Sequence, residues 1–283
     1  MAQNVTNVEL KLNIEVLTPG NIAECVNSIL EFLLYQRRQI PFVYRTYKFI
    51  IDRWAQQECD AKPGLESFSD YQLHQQRSKA TETKNAISDM REFIRDVFKS
   101  YAVRSLRFLF GSNAFMPKEA YTIHIPTTMT RKHNCEHHAT SNSMSQTLLS
   151  LLTCEDLYTI FSTEMNATNL FLELEIFSQE QDHGSSIETI KLFPKDVMSQ
   201  LPRSCKHIHL HLLHDSNIDA SAMQCCKELR IFEDLEILGL GDETENTVVG
   251  SECNKKTEQD SGWWQADVTV RGFRTSLQDL WSS

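Results

Sequence analysis

Three stretches of helical periodicity lie in the first hundred residues of this chain, and most stretches of strand-like alternation come after them. That segregation excludes the regular βαβ alternation of a doubly wound parallel sheet. Asn21 followed by Glu24 has the form of a capping box, and Ile22, Val26, Ile29 and Leu33 recur at helical spacing until Pro41, predicting a helix over about 21–38. Val43, Tyr47, Ile50 and Trp54 predict a second helix to about 57, and Ile87, Met90, Ile94, Val97 and Tyr101 a third over about 80–101. The polar stretch containing "DAKPGLESFSD" makes 58–78 a flexible loop between them.

Val103, Leu106, Phe108 and Phe110 then alternate as in a strand, and "AYTIHIP" predicts a short second one. In "NLFLELEIF", Leu170, Leu172, Leu174 and Ile176 alternate with Phe171, Glu173, Glu175 and Phe177, and further strands are expected at about 187–193, 206–213, 229–238 and 264–273. "LKLNIEVL", from Leu10, is a strand near the start. The expected fold class is α+β, helices packed on an antiparallel sheet. Residues 144–165 are expected to form one more helix with an unusually wide apolar arc. Leu151, Cys154, Tyr158, Phe161 and Met165 share one face, while Leu149, Leu152, Leu157 and Ile160 point elsewhere. Such a helix lies deep in a core or has a partner on its second side, and core burial is the favoured reading.

With 41 % apolar residues and only nine Gly and seven Pro in 283, the chain can supply a real core. A formal net charge of -10 opposes binding to a phosphate backbone or an anionic membrane. The apolar run Ile29–Leu34 is interrupted by Glu31 and too short to span a bilayer, so no transmembrane segment is expected, and no hydrophobic leader is read before Asn13. Eight cysteines without a CxxC pair suggest reduced thiols, with the adjacent Cys225 and Cys226 read as small packing residues.

Two histidine clusters invite a metal: "HNCEHH" holds His133, Cys135, His137 and His138, and "HIHLHLLH" holds His207, His209, His211 and His214. Neither has recognised zinc-ligand spacing. In a strand, His207, His209 and His211 project together from one face, which describes a solvated sheet face equally well. A zinc-binding module or zinc-dependent enzyme using 133–138 and 207–214 therefore stands as the alternative, and no metal is assigned. There is no GxSxG elbow, Walker loop, dinucleotide glycine fingerprint or HExxH, and no cofactor is assigned. In "YQRRQIPFVYRTY", Arg37, Arg38, Arg45 and the following Lys48 mix with Tyr35, Tyr44 and Tyr47. Given the acidic chain, that composition favours a protein interface over nucleic acid.

Three blocks carry a resemblance. "ILEFLLYQRRQIPFVYRTYKFI" (29–50), "VRSLRFLFGSNAFMPKEAYTIHI" (103–125) and "WWQADVTVRGFR" (263–274) resemble, in order, the family forms YQRQxxP, GGNAxxPKExY and WFQAPVTFKGFR of the comet family of Mad-two-binding proteins. They cover about a fifth of the chain, and the last is the most specific. The resemblance implies a HORMA-like domain over 10–274, between a 1–9 tail and a 275–283 tail, with flexible loops at about 58–78, 127–143 and 241–262. It further implies three helices on an antiparallel sheet and a C-terminal safety belt. In that belt Trp263, Trp264, Val268, Val270 and Phe273 close the fold where other HORMA proteins hold a client peptide. The implied function is a non-enzymatic adaptor that binds closed Mad-two and presents it to a Pch-two-type AAA+ ATPase, silencing the spindle assembly checkpoint. Partner-facing residues carried over are Gln36, Tyr158 and Phe161, and Pro194 and Lys195 fall where the family docks the ATPase. The implied location is nucleus and cytoplasm, and kinetochore or spindle in mitosis.

Overall fold

The computed structural model describes residues 5–12, 14, 17–60, 68–126, 141–177, 191–214, 261–275 and 278–281. Strand β1 (Val5–Lys11) is followed by helices α1 (Pro19–Gln36), α2 (Tyr44–Asp60) and α3 (Phe68–Ser100). Strands β2 (Val103–Gly111) and β3 (Pro117–His124) form a hairpin, then come α4 (Ser141–Thr153) and α5 (Glu155–Ser162). β4 (Asn169–Phe177), β5 (Leu192–Lys195), β6 (Lys206–Leu213), β7 (Ser261–Ala266) and β8 (Val270–Arg271) complete the strands, and a 3-10 turn spans Gln278–Trp281. The fold is mixed α and β, as the segregated periodicities predict.

The sheet order is β1-β6-β3-β2-β4-β7-β5, with β8 beside β4. It is not antiparallel throughout: β6 runs parallel to both β1 and β3, while β2, β3, β4, β5, β7 and β8 pair antiparallel. Side-chain alternation has the same period in either case, so the sequence showed which β6 residues are inward but not which way its neighbours run. Register aligns one apolar layer under the helices. Leu210, Ile123, Leu106 and Leu174 lie in a row across β6, β3, β2 and β4, and Ile208, Tyr121, Phe108 and Leu172 form the next. All eight are buried. α1 and α3 cover this layer with Ile22, Val26, Ile29, Leu33, Ile87, Met90, Ile94 and Val97, the residues whose spacing marked the helices.

Several boundaries differ from expectation for local reasons. β1 begins at Val5, inside the stretch read as a 1–9 tail. Thr18, not Asn21, caps α1: its Oγ1 accepts the Asn21 backbone N–H at 3.2 Å, with Pro19 next in line. α3 starts at Phe68, within the segment read as loop, and residues 61–67 lie outside the described set. In its first turns Phe68 and Tyr71 are exposed and Leu73 alone packs on the core, so no apolar stripe can be read until Arg77 lies over Trp54 and Ala80 is buried. The expected helix over 144–165 is two helices. Cys154 is extended (φ -73°, ψ 114°) between α4 and α5, and that break resets which side chains face inward.

The 264–273 strand is also interrupted, by Asp267–Thr269 between β7 and β8. The segment expected as a 275–283 tail packs: Leu280 is fully buried, and the Trp281 ring lies 5.1 Å from both Phe42 and Trp54 and 6.0 Å from Phe273. The loops read at 127–143 and 241–262 fall outside the described residues except for their last positions, as do the 229–238 strand, the 133–138 cluster, Cys225 and Cys226. Among the described residues no helix is long and apolar enough to cross a membrane.

Candidate functional site

The stretch "YQRRQIPFVYRTY" closes α1 and opens α2, and its buried members Arg37, Gln39, Ile40, Tyr44 and Tyr47 are structural. Arg37 is 2 % exposed and carries a two-point ion pair with the equally buried Glu119 of β3. Nη2 donates to Oε1 at 2.8 Å, and Nε approaches Oε2 to 2.8 Å. Arg37 Nη1 donates to the Ile160 carbonyl at 3.2 Å, and the guanidinium lies 5.9 Å from the Phe161 ring, so the end of α1 is tied to α5. The Tyr121 hydroxyl donates to Glu119 Oε2 at 2.8 Å, and burial beside that carboxylate pushes its pKa well up. Tyr44 and Tyr47 are buried too: Tyr47 donates to the Ala80 carbonyl at 2.9 Å, and the Tyr44 hydroxyl sits 2.8 Å from Ser88 Oγ. The basic-aromatic set thus divides: Arg37, Tyr44 and Tyr47 are structural, whereas Tyr35, Arg38, Arg45 and Lys48 are exposed. Buried arginine and tyrosine need polar partners, and the fold supplies them.

Gln39 is the latch of the C-terminal segment. Its Nε2 donates to the Arg37 carbonyl at 2.7 Å and the Asn166 carbonyl at 3.3 Å, and its Oε1 accepts the Thr168 N–H at 2.7 Å. Its own carbonyl accepts the Phe273 N–H at 2.7 Å, while Gly272 N–H donates to the Thr168 carbonyl at 2.8 Å. A Cβ on Gly272 would overlap Gln39 Oε1 and stand 3.0 Å from the Thr168 oxygen. Gly272→Ala is therefore expected to destabilise the protein by about 1–3 kcal/mol, the scale of an overpacked site with a disturbed buried amide, measured by urea denaturation. An unchanged midpoint would show that the latch yields freely.

The closing segment is held in the sheet. β7 pairs antiparallel with β4, with Trp264 opposite Leu174 and Trp263 opposite Glu175, and β5 covers its other edge. Trp264 and Val268 pack against the core and Val270 and Phe273 are buried, whereas Trp263 lies on the opposite sheet face under the Arg107 guanidinium at 5.4 Å.

On α4 and α5 the break at Cys154 sorts the wide apolar arc into two sides. Leu151, Leu157 and Ile160 face the core, while Leu149, Leu152 and Tyr158 are 59 %, 53 % and 73 % exposed. Core burial of the whole arc, the reading favoured from the sequence, is thus corrected. Phe161 is half-buried, edge-on to Phe32 at 5.7 Å, and so belongs more to the packing than to the surface. Gln36 is half-buried and lines a groove with Tyr35, Arg38, Ile40, Phe273 and Arg274.

Pro194 and Lys195 lie on the edge strand β5, where proline's missing N–H costs no ladder bond. The Lys195 ammonium points inward, bonded to Glu173 and, at 2.6 Å, to Ser199 Oγ, so its charge is committed to the sheet rather than offered outward. Ser199 Oγ in turn donates to Glu173 at 2.5 Å, and Arg107 lies 3.7 Å from the same carboxylate. Phe193 and Val197 beside them are exposed.

On the same face, the strand histidines meet a residue that the histidine spacing alone does not include. His124 of β3 pairs in register with His211 of β6, and its Nε2 lies 2.8 Å from His209 Nδ1. His207 sits 2.9 Å from Thr122 Oγ1. Burial, then the neighbouring imidazoles, hold His124 down at about 4. His207 is likewise held at about 4, and His209 is lowered for the same two causes. These rings are neutral at neutral pH. No family model matches the chain, and no curated protein matches it.

Proposed function

We propose that this protein is a non-enzymatic, HORMA-type adaptor that binds closed Mad-two through the α4–α5 surface and delivers it to a Pch-two-type AAA+ ATPase. The observation that carries the reading is the exposed trio Leu149, Leu152 and Tyr158 on a helix pair whose opposite side closes the core. An exposed aromatic and two exposed leucines are side chains of the kind that anchor interfaces, where a few desolvated groups supply most of the affinity. The paired β7 supports the same reading, since its place beside β4 is filled from within the same chain rather than by a client peptide. ATP hydrolysis belongs to the partner. The resemblance of the three sequence blocks is what points to these partners, and with Lys195 bonded internally, exposed Phe193 and Pro194 of β5 and the following Val197 are the surface offered to the ATPase.

Gln36→Ala combined with Tyr158→Ala is expected to weaken binding of closed Mad-two by at least about tenfold, with an unchanged thermal melt because neither side chain is fully buried. A fluorescence titration against wild type decides it, and equal affinities would remove these residues from the interface.

A further inference from the structure

We propose that His124, His209 and His211 form a surface site for a divalent transition metal of the zinc, nickel or copper class. One ring nitrogen from each lies within 4.8 Å of the other two, with the His124–His209 pair at 2.8 Å. Around a tetrahedral ion with nitrogens about 2.0–2.1 Å away, ligand atoms stand roughly 3.3–3.4 Å apart. The 2.8 Å pair and the 4.8 Å limit on the others lie on either side of that value, so side-chain rotations that tilt the stacked rings toward a common point would bring the set together. β3 and β6 run parallel in direct register, which places His124 opposite His211, while His209, two residues back along β6, stands opposite Thr122. The His124 and His211 rings already stack at 4.5 Å and 8°. All three residues are half-buried, leaving a path for the ion and room for water as a further ligand.

Imidazole selects this class of ion over calcium or magnesium, which take oxygen ligands. The set differs from any motif in the linear sequence, because it draws on two strands and omits His207, whose ring is engaged by Thr122. In the metal-free site one ring of the His124–His209 pair donates its N–H to the other. On metal binding that proton shifts to the second nitrogen of its own ring, freeing both lone pairs with no net proton loss. The proposal is independent of the adaptor reading.

The test is calorimetric titration of Zn²⁺ into chelator-stripped full-length protein. One equivalent is expected to bind to wild type and to a variant carrying His133→Ala, Cys135→Ser, His137→Ala and His138→Ala. His209→Ala should lose at least about a hundredfold in affinity, since even outer residues around such sites are worth ten- to a hundredfold. His211→Gln serves as a second variant if His209→Ala does not fold. Zn²⁺ binding that survives in folded His209→Ala or His211→Gln, that disappears with the 133–138 variant, or that is absent from folded wild type would overturn the assignment.

Discussion

Arg37→Ala is expected to destabilise the protein by about 3–5 kcal/mol, the cost of removing one partner from a buried ion pair. Glu119 would remain almost fully buried, facing the Tyr121 hydroxyl and the Lys206 ammonium at 3.6 Å in place of a two-point guanidinium contact. The loss also frees the Ile160 carbonyl at the end of α5, so α1, β3 and α5 part together. Arg38→Ala is the internal control. Its ion pair with Glu164 is more than half exposed on both sides, and such pairs contribute at most about 1 kcal/mol. Urea denaturation of both variants measures the difference. Replacing both members, Arg37→Met with Glu119→Leu, should recover much of the loss, because the penalty lies in the stranded charge rather than in the missing attraction. If Arg37→Ala and Arg38→Ala unfold at the same midpoint, Arg37 is not the buried tie described above.

Trp281→Ala should cost about 3 kcal/mol, near the lower end for an aromatic truncation because the ring is only partly buried. Trp281 contacts Phe42 edge-on at 5.1 Å, Trp54 at 5.1 Å and Phe273 at 6.0 Å, and each aromatic pair adds roughly 0.5–1.5 kcal/mol beyond burial. It bridges the start of α2 and the residues after β8, so its removal should loosen the closing segment as well as the core. A thermal melt gives the stability, and near-UV circular dichroism reports the tryptophan cluster. A loss under about 0.5 kcal/mol would mean the last residues lie loosely on the surface.

These two residues also show where the sequence was opaque. Arg37 reads as surface charge because arginine is almost never fully buried without a partner, and its partner stands 82 positions away. Trp281 lies beyond the last recognisable strand, with nothing periodic around it. The wide arc over 144–165 was legible as apolar, but its two sides depended on the extended Cys154, which no proline or glycine announces. His124 joins the β6 histidines only through a parallel pairing that alternation cannot reveal. Legible from local periodicity were the buried stripes of α1 and α3, the inward residues of β2, β4 and β6, and, of the strand read over 264–273, its first part to Ala266. Of the candidate site, Tyr158 emerges on the surface, whereas Phe161, one turn on in α5, turns edge-on to Phe32 of α1.

The adaptor reading is tested most directly by mixing the protein with Mad-two locked in its closed or its open form and separating the mixtures by size-exclusion chromatography. Co-elution with the closed form alone, lost in Tyr158→Ala, is the predicted result. Equal retention of both forms, or of neither by folded wild-type protein, would contradict it.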